Sequence, residues 1–241
     1  MNPLRILVAD DHEIVRRGLV SLIKAHPDWE VCAEADNGCQ AVEKAKELKP
    51  DVVILDIGMP LLNGLEATRR ILREQPSVRI LILTITDGDH AVQAVLDAGA
   101  RGFLLKSDAA RDLVMAIEAL QQNKTFFTAR VADLILSGYL NKTNTPSRNK
   151  PVLQALTSRE REVVQLLAEG QSTKEVACHL NLSVKTAETH RSNVMRKLGL
   201  HSVSEVVIYA VRNGIVQVNL GIPYPSPDST SSTATTSVTK A

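Results

Sequence analysis

The chain lacks several features that would assign it to other classes of protein. No apolar run approaches the length of a membrane-spanning helix, and the first residues lead straight into a strand-like run instead of a signal peptide. Its three cysteines are odd in number and lack the close spacing of a metal or redox site. We therefore expect a cytoplasmic protein with no membrane partner, whose cysteines are small, buried or half-buried hydrophobic residues.

The chain also lacks an excess of charge of either sign. Its 28 basic and 27 acidic residues give a net charge of +1. Because nucleic-acid binding depends on the charge of one face, this value neither supports nor excludes DNA as a partner. A length of 241 residues with 44% hydrophobic and 23% charged residues is ordinary for globular protein and suits one large domain or two smaller ones.

Strand-like and helix-like segments alternate through the first half of the chain. Apolar residues at helical spacing separate five strand-like runs, which are Leu4–Ala9, Glu30–Ala35, Asp51–Leu55, Arg79–Leu83 and Gly102–Leu105. Five consecutive β–α units predict a doubly wound parallel sheet with helices on both faces, over residues 1–123.

The second half of the chain contains only helical patterns. Residues 124–152 read as a linker helix followed by a polar, proline-containing linker, and the Ser/Thr-rich residues 219–241 are predicted to be a disordered tail. Between them, residues 153–218 are predicted to form four short helices. Capping-box sequences begin at Thr157, Ser172 and Ser202, and Ser183 is a fourth N-cap candidate. The predicted fold class is α/β plus all-α.

Three carboxylates follow two of the predicted strands. Asp10 and Asp11 come after the first strand, and Asp56 comes after the third. The carboxyl ends of parallel strands share one edge of the sheet, and acids crowded there need a divalent cation or a phosphoryl group. We expect Asp56 to be a phosphoryl acceptor beside Mg²⁺. The predicted metal ligands are Asp11 and Asp56, Asp10 through a water, and the carbonyl of Gly58.

Two other strand ends supply groups that can bind phosphoryl oxygens. Thr84 offers a hydroxyl group, and Lys106 offers an ammonium group. Taken singly, an Asp–Asp pair fits a solvated turn and a strand-end Asp fits a helix cap. The agreement of five positions favours a phosphorylation site over capping.

These segments resemble the receiver domain of two-component response regulators, which has a flavodoxin-like fold. The segments that carry the resemblance are Asp10-Asp11-His12, Asp56 to Pro60 with Asn63-Gly64, Thr84, and Gly102 to Lys106. It implies that a sensor histidine kinase phosphorylates Asp56 and that Thr84 and Lys106 bind the phosphoryl group. It also implies that Phe103 rotates inward as a switch together with Thr84, although an aromatic residue in a buried strand also fits a plain core role.

Residues 156–216 resemble the LuxR-type helix-turn-helix domain, which places the whole chain in the NarL/FixJ group of response regulators. The blocks that carry this resemblance are Leu156 to Glu162, Ala177 to Ser183, and Val184 to Leu200. Such a domain implies double-stranded DNA as a partner.

The third helix of this domain is predicted to read DNA. A helical wheel places Ala187, His190, Val194 and Leu198 on the packed side. Four cations make the helix basic, and they are Lys185, Arg191, Arg196 and Lys197. The predicted DNA-binding residues are Lys174, Lys185, Thr186, Glu188, Thr189, Arg191, Ser192 and Arg196. Of these, Glu188, Thr189 and Ser192 are assigned to base edges, and Lys174, Lys185, Thr186 and Arg191 to phosphates.

The combined hypothesis is a transcription regulator, not an enzyme, that forms a homodimer on DNA when Asp56 is phosphorylated. Two alternatives stay open from the residues alone. The first is a signalling module that docks on a protein partner, and the basic face of the third helix argues against it. The second is a metal-dependent phosphatase, which would need a separate general base near Asp56.

Overall fold

A five-stranded parallel sheet forms the centre of the N-terminal half. The computed structural model describes residues 2–85, 89–128, 131 and 156–216. The strands are β1 (Leu4–Ala9), β2 (Trp29–Ala35), β3 (Val52–Asp56), β4 (Arg79–Thr84) and β5 (Gly102–Leu105). Their order is β2-β1-β3-β4-β5, which is the flavodoxin-like order. The predicted fold is confirmed, and every predicted strand end lies within one residue of the observed end.

Five helices cover the two faces of this sheet. They are α1 (Glu13–Lys24), α2 (Gly38–Leu48), α3 (Gly64–Glu74), α4 (Asp89–Ala98) and α5 (Ala109–Gln121), and a 3₁₀ turn (Lys106–Asp108) precedes α5. Successive residues of β1 point to opposite faces. Ile6 and Val8 pack against α1 and α5, whereas Leu7 and Ala9 pack on the side of α2, α3 and α4. The sheet is therefore buried on both faces, which explains its nearly continuous apolar strands.

Four helices lie within residues 156–216. They are α6 (Ser158–Ala168), α7 (Thr173–His179), α8 (Val184–Leu198) and α9 (Val203–Arg212). Their shared core includes Val163 and Leu166 of α6, Ala187 and Val194 of α8, and Val206 of α9. The helices α7 and α8, joined by a tight turn, are the helix-turn-helix pair that the sequence predicts.

The predicted helix caps are present, with one difference. Thr157 and Ser172 form full capping boxes, and the Ser183 side chain caps α8. Ser202 Oγ accepts a hydrogen bond from Glu205 N at 3.2 Å. However, the Glu205 carboxylate accepts from His201 N at 2.6 Å, so the reciprocal bond of the predicted box has moved by one residue.

Several predictions fall outside the described residues or need correction. The predicted linker (124–152) is described only to residue 128 and at Val131, and the predicted tail (219–241) lies outside the described residues. Phe126 forms a parallel bridge with Gly102, beside β5. Cys32 and Cys39 are half-buried as expected, whereas Cys178 is exposed.

Candidate functional site

The carboxyl edge of the sheet brings the three predicted acids together. Asp10 follows β1 and Asp56 ends β3, and both side chains are buried, whereas Asp11 lies at the surface. One potential ligand atom from each of these carboxylates and from the adjacent His12 lies within 4.8 Å of the others. His12 Nδ1 is 2.8 Å from Asp11 Oδ1, a contact that the sequence analysis did not predict. We call Asp10, Asp11, Asp56 and Lys106 the acidic pocket.

Lys106, the first residue after β5, reaches the buried acids. Its Nζ atom lies 2.9 Å from Asp10 Oδ2 and 3.0 Å from Asp56 Oδ2. These contacts are ionic and poorly directed, because neither carboxylate oxygen meets the angles of a hydrogen bond. The ammonium group therefore offsets part of the negative charge of the two carboxylates.

The electrostatics of the acidic pocket follow from its burial. Burial is the main reason that the pKa of Asp56 is raised to about 6; Lys106 lowers this pKa and Asp10 raises it further. Burial lowers the pKa of Lys106, but the carboxylates of Asp56 and Asp10 outweigh that effect and leave the Lys106 pKa raised. At neutral pH most molecules therefore carry an ionised Asp56 beside a charged lysine.

One oxygen of Asp56 receives no hydrogen bond within the described part of the chain. Among the residues that the structure describes, none donates a hydrogen bond to the buried Asp56 Oδ1. Such an atom costs about 1–3 kcal/mol unless water or an ion satisfies it. Gly58 and Asp11 line an adjacent cavity of about 180 Å³, which has room for several waters. A hard divalent cation that keeps some of its waters fits these oxygen donors.

The loop after Asp56, Ile57 to Asn63, is held by close backbone contacts. A Cβ atom on Gly64 would lie 2.1 Å from the Asp56 carbonyl oxygen, so only glycine fits at this position. The Gly64 N–H donates to Ile57 O at 3.0 Å, and the Asn63 side chain caps α3 by accepting from Glu66 N at 2.9 Å. The Asn63-Gly64 pair thus fixes this loop against the end of β3.

The other predicted residues of the pocket lie at the ends of β4 and β5. Asp56 pairs with Leu83, and Thr84 pairs with Leu105, so Thr84 at the end of β4 and Lys106 just after β5 lie at the same edge of the sheet as Asp56. Thr84 is buried. Phe103 is also fully buried and belongs to the core between the sheet and helices α2, α3 and α4. The structure therefore describes Phe103 in an inward position.

The predicted DNA-reading helix α8 presents one polar face to solvent. Ala187 and Val194 on its other side are buried, and His190 is half-buried. The exposed members of the predicted DNA-binding set are Lys174 on α7 and Lys185, Thr186, Glu188, Thr189, Ser192 and Arg196 on α8. Arg191 is half-buried, and its Nη1 atom donates to Thr173 Oγ1 at 3.2 Å.

The basic charge of α8 is smaller than the sequence suggested. Lys197 Nζ lies 2.7 Å from Oε1 of the buried Glu160, so this cation holds α8 to α6. Of the other cations of α8, Lys185 and Arg196 are exposed and Arg191 is half-buried.

Helix α6 contacts the loop after Asp56, and the sequence analysis did not predict this contact. Gln165 Oε1 accepts from Asn63 N at 2.8 Å, and Gln165 Nε2 donates to Met59 O at 3.0 Å. Glu169 Oε2 accepts from Leu61 N at 3.2 Å. The only signal in the sequence is a polar stripe at helical spacing, which ordinarily indicates a solvated face, formed by Ser158, Glu162, Gln165 and Glu169.

Two buried carboxylates extend the contact along α3. Glu66 of α3 is 1% exposed and accepts hydrogen bonds from Ser158 and Arg161. Glu162 of α6 is 2% exposed and accepts from Arg70 Nε at 3.0 Å. Burying these charges is tolerated because each has a charged partner across the contact. We call the interface of α6 with α3 and the loop after Asp56 the docking contact.

Comparison with known proteins identifies both halves of the chain. Residues 6–118 match the family model of the response regulator receiver domain, and residues 154–210 match that of bacterial regulatory proteins of the luxR family. The transcriptional regulatory protein LiaR of Bacillus subtilis (strain 168) is 37% identical over 213 residues, which cover 88% of this chain and 99% of LiaR. The chain belongs to the NarL/FixJ family of response regulators.

Other members of the family span nearly the whole of this response regulator. The oxygen regulatory protein NreC of Staphylococcus epidermidis (strain ATCC 12228 / FDA PCI 1200) is 35% identical over 217 residues, covering 89% of this chain and 100% of NreC. The structure of the response regulator RcsB from Salmonella typhimurium has a TM-score of 0.59 and 28% identity, covering 88% of this chain and 99% of that one. An RcsB–DNA complex matches with a TM-score of 0.54, 29% identity and the same coverage.

The predicted family, fold and general function are therefore confirmed. This response regulator joins a receiver domain to a LuxR-type DNA-binding domain, and its relatives are transcriptional regulators, not enzymes. Receiver domains generally bind Mg²⁺ at an acidic pocket, and their presence implies a histidine kinase as partner. None of the helices in the described ranges is long and apolar enough to cross a membrane.

Proposed function

We propose that Asp56 accepts a phosphoryl group from a sensor histidine kinase and that this event controls DNA binding. The observation that carries the proposal is the buried Asp56 carboxylate, which has one unpartnered oxygen and lies beside Lys106 at an edge of the sheet. The receiver is residues 1–123, and the helix-turn-helix domain is residues 153–218. Because its partner is DNA, we place the protein in the cytoplasm.

The chemistry assigns a role to each residue of the acidic pocket. An Asp56 oxygen attacks the phosphorus of the kinase's phosphohistidine, a P–O bond forms, and the P–N bond breaks as the imidazole nitrogen keeps the electron pair. The Lys106 ammonium and the Thr84 hydroxyl hold the phosphoryl oxygens. We assign the switch to Thr84, which follows the phosphoryl group, and to Phe103, whose buried position fits the inward state that the resemblance implies.

We assign the metal position to Asp11, Asp56 and the Gly58 carbonyl, with Asp10 bonded through water. Bound Mg²⁺ supplies positive charge that offsets the repulsion between the Asp56 carboxylate and the incoming phosphoryl oxygens. The unpartnered Asp56 Oδ1 and the oxygen donors around the cavity support this assignment.

The output is recognition of double-stranded DNA by α8. Glu188, Thr189 and Ser192 are exposed on one face and have the length and polarity to contact base edges in a major groove. The phosphate contacts come from Lys174, Lys185, Thr186, Arg191 and Arg196. One such domain with so little outward charge binds weakly, so we expect a homodimer on two half-sites. The matched structure of two RcsB dimers bound to two parallel DNAs supports pairing in the family.

Phosphorylation must act by changing the populations of two arrangements of the domains. A nearly complete change requires the phosphoryl group to favour one arrangement by about 5 kcal/mol. The experiment compares binding to random-sequence duplex DNA with and without acetyl phosphate, for the wild type and Asp56→Asn. We expect the phosphodonor to tighten binding by the wild type only. An equal response in the folded variant would exclude Asp56 as the acceptor.

A further inference from the structure

His12 occupies a helix-capping position without capping the helix. It is the N-cap residue of α1, and its side chain forms no hydrogen bond to the first turn of that helix. Serine, threonine, aspartate and asparagine are favoured at an N-cap because their short side chains accept from the exposed backbone N–H groups. The histidine side chain lies instead against the carboxylates of Asp10 and Asp11. The local preference for a cap is therefore not met, and the side chain contacts the acidic pocket.

The imidazole ring lies at the surface of the acidic pocket. Its Nδ1 atom is 2.8 Å from Asp11 Oδ1 and 3.3 Å from Asp10 Oδ1, and the side chain is 45% exposed. The backbone N–H of His12 donates to Asp10 Oδ1 at 2.9 Å, which holds the residue beside the buried acid. The side chain thus reaches the acids without entering the core, so it can be replaced without a change in the packing of the receiver.

The four donor groups are close enough to share one metal ion. One potential ligand atom from each of Asp10, Asp11, His12 and Asp56 lies within 4.8 Å of the others. Metal–ligand bonds of about 2.1 Å place opposite ligands of an octahedral ion about 4.2 Å apart. Small rotations of the exposed Asp11 and His12 side chains are therefore sufficient to bring all four atoms into one coordination sphere.

Buried oxygens independently indicate that this cluster takes a ligand. Asp56 is 1% exposed, and no residue in the described part of the chain donates a hydrogen bond to its Oδ1 atom. Asp10 Oδ2 is also buried without a hydrogen bond, although Lys106 Nζ lies 2.9 Å from it. One ammonium group beside three carboxylates leaves negative charge that a divalent cation would balance.

We propose, on the basis of the metal position assigned above, that His12 is a nitrogen ligand through which the acidic pocket selects transition-metal ions over Mg²⁺. Oxygen donors suit Mg²⁺, which loses its waters reluctantly and gains little from an imidazole. An imidazole nitrogen favours later divalent ions such as Co²⁺, Ni²⁺ and Zn²⁺, with Mn²⁺ in between. His12 therefore adds affinity for those ions and determines which ion lies beside Asp56, the proposed phosphoryl acceptor.

The test uses the full chain and three substitutions by asparagine. His12→Asn removes the nitrogen ligand, keeps the three carboxylates and the backbone bond to Asp10, and supplies a good helix cap. His201→Asn makes the same change at an exposed histidine of the DNA-binding domain and controls for binding by surface histidines. Asp11→Asn removes one carboxylate of the pocket. Isothermal titration calorimetry at one neutral pH measures the affinity of each protein for Mg²⁺, Mn²⁺ and Co²⁺.

We expect the affinity of the wild type and of His201→Asn to increase in the order Mg²⁺, Mn²⁺, Co²⁺. His12→Asn should bind Co²⁺ at least about tenfold more weakly than the wild type and should bind Mg²⁺ within about twofold of it. Pulsed EPR of bound Mn²⁺ should detect a directly bonded nitrogen in the wild type and in His201→Asn, but not in His12→Asn. Unchanged affinities in His12→Asn, an equal loss for all three ions, or a nitrogen coupling that persists in this variant would each overturn the proposal.

The Asp11→Asn variant separates this proposal from the assignment of the metal position. If Asp11→Asn binds all three ions as the wild type does, the acidic pocket is not the metal site and the proposal about His12 falls with it. If Asp11→Asn weakens all three ions while His12→Asn behaves as the wild type, the metal position stands and the role of His12 is refuted. The phosphorylation of Asp56 is measured separately, as the mass that each protein gains from acetyl phosphate.

Discussion

Replacing Asp56 by asparagine should stabilise the receiver at neutral pH while abolishing its response to phosphodonors. Burial raises the pKa of Asp56 from 3.8 to about 6. Near pH 4 the Asp56 carboxyl group of the folded protein is largely protonated, so its burial costs little free energy. As the pH rises toward 7, the unfolded chain gives up its proton more readily than the folded chain, so the wild type loses stability. This difference in pKa corresponds to a loss of about 3 kcal/mol in the free energy of unfolding of the wild type. Asparagine carries no charge, so the variant keeps that stability.

Urea unfolding followed by tryptophan fluorescence measures this difference in the full chain. The single tryptophan, Trp29, is buried at the start of β2, so its emission reports unfolding of the receiver. His26 stacks on Trp29 with ring centroids 4.0 Å apart. Because both proteins share that stack, the comparison between them removes its contribution. The measurements are made at several pH values between about 4 and 7 with a chelator present.

The expected result is an advantage for Asp56→Asn that grows from near zero at pH 4 to about 2–3 kcal/mol at pH 7. A constant difference over this range would show that Asp56 titrates at the same pH in the folded and unfolded chains. The reasoning about desolvation in the acidic pocket would then be wrong, whatever the phosphorylation assay gives.

Three further predictions concern the metal, the loop and the DNA. Mg²⁺ should raise the urea midpoint of the wild type at pH 7. The Asp11→Asn variant should need at least about tenfold more Mg²⁺ for the same rise. Equal Mg²⁺ titrations of the two proteins would show that Asp11 is not a metal ligand. Gly64→Ala should destabilise the receiver by about 2–3 kcal/mol, because its Cβ meets the Asp56 carbonyl; an unchanged midpoint would contradict this. Glu188→Gln should change base preference, whereas Lys185→Ala should weaken all sequences similarly and reduce the salt dependence, as competition binding measures.

The sequence predicts the sheet and its functional edge because both depend on local patterns. A strand buried on both faces is a short, nearly continuous apolar run, and β1, β3, β4 and β5 have that form, whereas the edge strand β2 carries two exposed glutamates. Once the strands are parallel, residues that follow different strands share an edge. This places Asp56 and Lys106 together without any knowledge of side-chain packing, and the observed 3.0 Å contact between them agrees.

The docking contact could not be predicted in this way. Its hydrogen bonds join residues about one hundred positions apart, as in the pair formed by Asn63 and Gln165. The polar residues of α6 look identical whether they face water or another domain, and a buried carboxylate such as Glu162 is recognisable only when its partner Arg70 is known. The same limit explains Lys197, which the sequence analysis counts among the four cations of this helix although it pairs with Glu160.

Leu61 shows where a local rule fails for a functional reason. Sequence preferences place glycine or asparagine at a left-handed turn position, and a leucine there costs about 1–2 kcal/mol in the isolated loop. Conflicts between local preference and the global structure concentrate at functional positions, where another contact compensates for the strain. Here the compensation comes from a second domain, so the conformation of the loop beside the acceptor depends on docking. A strained residue in the loop that follows Asp56 therefore joins the receiver to the DNA-binding domain.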